Sequence, residues 1–183
     1  MAMSLGGRSV VLALLGVALL QPGAVPAFGQ EEPPAIQRSL AGLSLGDSLK
    51  DVQRRYPPTQ EWPAVVERRG RVRRLRVERQ FAGSFPANVQ TIWLGFRKSR
   101  LAEIQLIYDL NFSRRKSAEA LAQDMALVYG DPRRSSDKFW WSDGHTVLRV
   151  FNAELASAER DSRSTALRTS IQIIEQELFR RAP

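Results

Sequence analysis

Two stretches of the chain follow the same pattern, and they constrain the fold more than any other feature of the sequence. Residues 48–58 (SLKDVQRRYPP) and 117–132 (SAEALAQDMALVYGDP) each place apolar side chains three and four positions apart. A tyrosine and then a proline follow within three residues. The spacing predicts a helix with one apolar face, and the proline marks its end. Strand-like segments follow each helix, so the predicted order is a helix and then three strands, twice.

We therefore predict an α+β fold made of two related units in tandem. Each unit is expected to be a helix followed by a short antiparallel sheet of about three strands. The first unit covers residues 40–110 and the second covers residues 111–183, and the two are expected to pack as one domain.

Alternation of apolar and polar residues predicts the strands. It is found in residues 71–81 (RVRRLRVERQF), in residues 89–109 across the turn RKSR, and in residues 138–151 around Asp143-Gly144. Residues 165–179 (TALRTSIQIIEQELF) fit both a strand and a helix. Their central β-branched residues favour a strand as far as about Glu175.

The first 29 residues resemble an export signal more than a folded segment. Arg8 supplies a positive charge, residues 10–20 are apolar, and small residues then allow cleavage before Phe28 or before Gln30. A membrane-spanning helix needs about 20 apolar residues, which favours a cleaved signal over the alternative of an uncleaved anchor. Residues 30–39 (QEEPPAIQRS) are predicted to be a flexible tether, and the mature protein to be periplasmic or secreted.

Charge and composition limit the partners. The chain has no cysteine, so burial alone must hold the fold together, and it carries 27 basic residues, 23 of them arginine, against 19 acidic ones. Behind an export signal, nucleic acid is not the expected partner of this charge. A protein or an anionic envelope component is expected instead, with at most peripheral membrane contact. The alternative is that a high-GC genome encodes its surface cations as arginine.

Catalytic and metal sites are not predicted. His145 is the only histidine, and it directly follows the Asp143-Gly144 turn. One histidine without cysteine leaves only carboxylates as zinc ligands, and the single glycine of GDSLKD does not make a phosphate-binding loop. We therefore predict no catalytic residue, no metal site and no cofactor.

Two groups of residues are candidates for binding. The first is a run of arginines on one strand: Arg71, Arg73, Arg74 and Arg76. The second is a set of tryptophans: Trp93, Trp140 and Trp141. Adjacent strand residues point to opposite faces, so one of Trp140 and Trp141 is expected in the core and the other is a candidate anchor. The alternative for the arginines is a solvated strand face whose cations protect a sheet edge.

Residues 40–58 (LAGLSLGDSLKDVQRRYPP) resemble the pattern Gly-x-x-x-Gly-x-(Ser/Thr)-x-x-(Asp/Glu)-Val, followed by Pro. The matching residues are Gly42, Gly46, Ser48, Asp51 and Val52, with Pro57 or Pro58 after them. This pattern is similar to that of the SmpA/OmlA family of outer-membrane assembly lipoproteins and of the β-lactamase-inhibitor proteins. The resemblance implies helices packed on short antiparallel sheets. The chain departs from both groups because it has neither the lipidated cysteine nor the disulfides.

These features together predict an exported, non-catalytic binding or assembly-accessory protein of the bacterial cell envelope. The alternative is a small periplasmic hydrolase, which would need a cavity with converging polar groups.

Overall fold

A computed structural model of the chain describes residues 34–57, 65–69, 72–156 and 165–179. At residues 65–69 and at Phe81, Ala156, Thr165 and Phe179 it describes the backbone alone. The predicted signal peptide and Arg71 lie outside the described residues. Residues Glu32–Pro183 form one compact unit. None of the described helices is long and apolar enough to cross a membrane.

Most of the described secondary structure is strand. In chain order the elements are β1 (Ser39–Leu40), β2 (Leu43–Ser44), α1 (Leu49–Arg55), β3 (Val65–Arg69), β4 (Val72–Glu78), β5 (Val89–Arg97), β6 (Arg100–Tyr108), α2 (Leu110–Arg115), α3 (Ala118–Tyr129), β7 (Arg133–Ser135), β8 (Lys138–Ser142), β9 (Thr146–Ala156), β10 (Thr165–Glu175) and α4 (Gln176–Phe179). A single 3-10 turn follows β4. Strands β1 and β2 pair with each other. The other eight form one antiparallel sheet in the order β3-β4-β5-β6-β10-β9-β8-β7.

The prediction of an α+β fold made of two related units, each a helix followed by a sheet of about three strands, is wrong. The protein is mostly β, and its described helices are short, the longest having 12 residues. Strand β6 pairs with β10 from Ile107↔Ser170 to Glu103↔Ile174, so the backbone hydrogen bonds continue across the middle of the molecule. The sheet also contains two short strands, β3 and β7, that the alternation pattern does not predict.

The burial of β6 gives the physical reason for this correction. Its residues from Leu101 to Ile107 are all buried, so both faces of the strand are covered. A strand buried on both faces belongs at the centre of a sheet, where it pairs along both edges. Partners β5 on one side and β10 on the other meet that requirement.

Local capping signals place the two main helices where the sequence predicts them. The Ser48 side chain accepts a hydrogen bond from the Asp51 N–H at 3.3 Å, and the Asp51 carboxylate accepts one from the Ser48 N–H at 3.0 Å. This capping box begins α1. Ser117 caps α3 through the Ala120 N–H at 3.1 Å, and Gly130, with φ of 74°, ends it. The predicted hairpins and the strand through Glu175 are confirmed as well.

One apolar row of side chains crosses the sheet and defines its core face. Its members are paired in register on six neighbouring strands and none is more than 5% exposed: Leu75, Leu94, Ile104, Ile173, Leu148 and Trp141. Val52 of α1 and Leu121 of α3 belong to the same core cluster. The spacing of apolar residues on α3 predicts a helix face of Ala118, Leu121, Met125 and Val128, but Val128 is 61% exposed and the partly buried Tyr129 takes its place beside Met125.

The segment predicted as a tether is described from Pro34 onward, and it packs against the body of the protein. Ile36 is buried, and its N–H donates to the Asp143 carboxylate at 2.8 Å. The other carboxylate oxygen accepts from the N–H groups of His145 and Thr146 at 2.9 and 2.7 Å. Partial burial raises the pKa of Asp143, but these three backbone donors outweigh it and hold the pKa below the usual 3.8.

Asp143→Asn is expected to lower the free energy of unfolding at neutral pH by about 1 kcal/mol, because it weakens charge-assisted hydrogen bonds. The folded-state pKa of Asp143 is lowered, so its contribution is complete above about pH 4 and is lost as the pH falls through the folded value. Thermal unfolding followed from neutral pH into acid should show the gap between the variant and the wild type closing as the pH falls. Asp137→Asn, on an exposed turn, is the matched control and should leave the acid limb unchanged. A gap that stays constant down to the lowest pH would contradict the role of Asp143.

Candidate functional site

The candidate binding residues separate onto different surfaces. Arg74, Arg76, Trp93 and Trp140 lie on the face of the sheet opposite the core, which we call the second face. Trp141 is buried in the core and its Nε1 donates to the Gly130 carbonyl at 2.7 Å. Arg73 points to the opposite side of β4 from Arg74 and is exposed. The sequence therefore identified the residue types, and of the six candidates that the structure describes, four share one face of the sheet.

A single row of polar and aromatic side chains crosses seven strands of the second face. The register pairs its members in this order: Arg76, Trp93, Gln105, Gln172, Arg149, Trp140 and Arg133. Both ends carry a tryptophan beside an arginine, and two glutamines occupy the middle. The buried side chains of α1 and α3 belong to the core cluster on the other face.

Hydrogen bonds connect the centre of the second face across β4, β6, β10 and β9. Glu103 accepts from Arg74 Nη2 at 2.9 Å and from Gln172 Nε2 at 2.7 Å. Gln105 accepts from the same Arg74 atom at 3.2 Å and donates to the Ser170 hydroxyl at 3.0 Å. Arg149 on β9 donates to the Gln172 side-chain oxygen at 3.3 Å. Buried polar groups cost free energy unless they are paired, so these bonds hold the centre of the face in one arrangement.

Gly95 makes the Arg74–Glu103 ion pair possible. It lies on β5, directly between Arg74 on β4 and Glu103 on β6. A Cβ atom at this position would lie 2.7 Å from Glu103 Oε2 and 2.8 Å from Glu103 Cβ. The missing side chain therefore leaves the space in which the glutamate crosses β5 to reach the arginine.

Guanidinium groups stack on the aromatic rings of the second face. Arg74 and Arg76 lie 4.8 and 5.8 Å from the centre of the Trp93 ring. Arg133 lies 5.1 Å from the Trp140 ring, at the other end of the row. Each cation–π contact is worth about 0.5–1 kcal/mol at an exposed site. The rings thus restrict the conformations of these arginine side chains.

The second face carries more positive than negative charge among the residues whose side chains are described. Its cations include Arg74, Arg76, Arg133, Lys138, Arg149 and Arg168, and its acids include Glu78 and Glu103. Burial lowers the pKa of Arg149, although the Glu103 carboxylate opposes this effect. In the described part of the chain, the Nε atoms of Arg74, Arg76 and Arg168 are buried without a hydrogen-bond partner, and Arg76 Nε lies 3.2 Å from Glu78 without hydrogen-bond alignment. The arrangement suits the binding of anionic groups.

The middle of this row was not predicted from the sequence. Gln105, Gln172 and Arg149 occur singly on three different strands, and no local motif contains them. Alternation along each strand assigns them to one side, but only the pairing of β6 with β10 brings them into line.

His145 lies beside a cavity of about 280 Å³ that Arg38, Arg97, Glu175 and Glu177 also line. Both carboxylates are ion-paired, with Arg97 at 2.8 Å from Glu175 and 2.6 Å from Glu177. Within the described ranges the His145 ring makes no hydrogen bond, and no cluster of His, Cys, Asp or Glu is placed to hold a metal ion. The ion pairs of Arg97 join the end of β5 to the end of β10 and to α4, and the described residues of the cavity include no activated nucleophile.

Gly95→Ala is expected to destabilise the fold by about 1–3 kcal/mol, because its Cβ overlaps Glu103 and forces β5 and β6 to shift. Gly83→Ala is the matched control, since its Cβ would make an ordinary contact of 3.5 Å with the Pro57 carbonyl. Chemical denaturation of both variants gives the two free energies. Equal stability of Gly95→Ala and the wild type would show that the second face does not need this gap.

Comparisons with protein-family models, with curated proteins and with solved structures found no match to this chain. The resemblance of residues 40–58 to the SmpA/OmlA pattern is thus untested and stays a prediction. The geometry of the second face is the basis for a functional proposal.

Proposed function

We propose that this protein is an exported, non-catalytic binding protein of the cell envelope that docks an acidic protein partner on the second face of its sheet. Export rests on the predicted signal peptide. The observation that carries the docking proposal is the in-register row of arginine, tryptophan and glutamine from Arg76 to Arg133.

The composition of the row matches that of protein interfaces. Tryptophan and arginine are enriched among the few interface residues that dominate binding energy. Trp93 and Trp140 are half-buried at the two ends of the row, and each is beside an arginine. Stacking fixes these side chains in advance, which reduces the entropy lost when a partner binds.

The dimensions of the face also fit a protein partner. Seven strands at about 4.8 Å spacing give a row roughly 29 Å long, with the two tryptophans about 19 Å apart. With one more row of side chains on each side, the face is about 20 Å wide along the strands. Its length and width together give an area of roughly 600 Å². That is close to the roughly 800 Å² that each partner contributes to a standard interface.

The charge of the face selects the partner's chemistry. Among the described side chains of the face, the cations outnumber the acids, and this excess of positive charge would attract an acidic surface and speed association. Glu103 is committed to Arg74 and Gln172, so it does not repel an incoming carboxylate as an unpaired charge would.

Replacing Arg76 and Arg133 together by glutamine should weaken partner binding at least about tenfold, because both ends of the row lose a cation. Arg114→Gln with Arg115→Gln removes the same charge from the exposed end of α2 and is the matched control. Capture from an envelope extract, followed by titration of the purified partner, measures both pairs. Equal loss in the control pair would show that net charge alone drives binding, against the proposal.

The location of the interface can be tested separately with a photocrosslinking amino acid. In place of Phe151 on the second face it should crosslink the partner, whereas in place of Leu127, on the outer side of α3, it should not. Crosslinks at Leu127 alone would place the interface elsewhere. Capture that nuclease or glycosidase treatment abolishes would identify a partner of another class and overturn the proposal of a protein.

Association should weaken as salt increases. Raising the ionic strength from about 0.01 M to about 0.15 M shortens the Debye length from about 30 Å to about 8 Å, and the association rate should fall with it. The Arg76→Gln and Arg133→Gln variant should show a smaller salt dependence than the wild type. Surface plasmon resonance of the complex at several salt concentrations measures this, and a salt-independent rate would contradict electrostatic attraction.

A further inference from the structure

A second cavity, of about 460 Å³, lies between α1, the start of β4 and the turn that joins β5 to β6. Its apolar residues are Leu49, Leu75 and Phe96, and its cationic residues are Lys50, Arg73 and Lys98. The volume is within the range of about 300–1,000 Å³ that is typical of small-molecule sites.

Strand alternation explains how a cation comes to border an apolar floor. Arg73 occupies the same side of β4 as Leu75 and Val77 and is paired in register with Phe96 of β5. Leu75 and Phe96 are buried, whereas Arg73 is exposed at the rim. The two-residue turn of Lys98 and Ser99, both with positive φ, brings the lysine to the same opening.

The three cations lack a counter-charge among the described residues. Lys50, Arg73 and Lys98 make no ion pair with any described residue, although other described residues form seven ion pairs. The nearby carboxylate of Asp51 is engaged by the Ser48 cap and lies 3.3 Å from Arg54. Three like charges at one opening repel each other, so an anion bound there would be stabilised by all three.

We propose that this cavity binds a small amphiphilic anion. Its carboxylate or phosphate group would lie among Lys50, Arg73 and Lys98, and its hydrocarbon part would cover Leu49, Leu75 and Phe96. The site is separate from the second face because Arg73 and Arg74 point to opposite sides of β4. Ligand binding here therefore does not depend on the docking proposed above.

Octanoate is a suitable free probe, and isothermal titration calorimetry of the mature protein measures its binding. We expect saturation at one site, with octanol and octylammonium at least about tenfold weaker because they lack the negative charge. Equal binding of octanol would reduce the cavity to a nonspecific apolar surface and overturn the proposal.

The residue-level test replaces Arg73 and Lys98 by glutamine. Both are exposed, so the variant should unfold like the wild type while losing at least about tenfold in octanoate affinity. The control pair Arg114→Gln and Arg115→Gln should keep its affinity. An unchanged affinity in the Arg73 and Lys98 variant would contradict the site.

A vesicle experiment distinguishes the source of the anion. If the natural ligand is a lipid, phosphatidylglycerol vesicles should bind the wild type, and the Arg73 and Lys98 variant should lose that binding while phosphatidylcholine vesicles bind neither. If it is a free molecule, octanoate binds and the vesicles do not. If neither octanoate nor phosphatidylglycerol binds, the proposal of this site is overturned. The proposal of partner docking on the second face is tested separately, by the Arg76→Gln and Arg133→Gln variant.

Discussion

The antiparallel pairing of β6 with β10 is the interaction on which the rest of the structure depends. It joins four strands from the first half of the chain to four from the second in a single sheet. On the core face it continues the apolar row through Ile104 and Ile173, and on the second face it sets Gln105 beside Gln172. Side chains alternate with a period of two, so a register slip of one residue would bury the glutamines among apolar groups and expose the isoleucines. The same contact thus sets both the stability of the protein and the geometry of its candidate interface.

Burial of polar groups at the centre of the second face has a cost that a purely structural sheet would avoid. A buried ion pair such as Arg74–Glu103 stabilises a fold little compared with apolar residues of the same size, because both charges lose their hydration. The pair does position the Arg74 guanidinium over Trp93, where it adds a directed cation to the face. Glycine weakens a strand, yet Gly95 lies where a side chain would overlap Glu103 and block this pair. These features have a common explanation if the second face is a prearranged docking surface.

Strand β4 serves two surfaces because its residues alternate. Arg74 and Arg76 contribute to the second face, while Arg73 borders the apolar cavity next to α1. A run of arginines that looks uniform in sequence therefore divides between two surroundings: one rich in tryptophan and glutamine, and one with an aliphatic and aromatic floor. A contact between distant parts of the chain also forms away from β4, where the Asp143 carboxylate accepts a hydrogen bond from the Ile36 N–H.

Local physical chemistry made much of the secondary structure predictable from the sequence. Serine caps, the glycine after α3 and the alternation along β5, β6 and β8 act over a few residues, so local patterns suffice to assign the helices and hairpins. The single sheet and the row across it could not be assigned in this way, because they depend on contacts such as Gln105 to Ser170, which lie 65 residues apart. Sequence patterns specify which side of a strand a residue occupies, whereas the strand it pairs with is chosen by the burial of the whole sheet. Local patterns were therefore enough to predict the main helices, the hairpins and the candidate residue types, whereas the long-range pairing of the strands sets which of those residues share a surface.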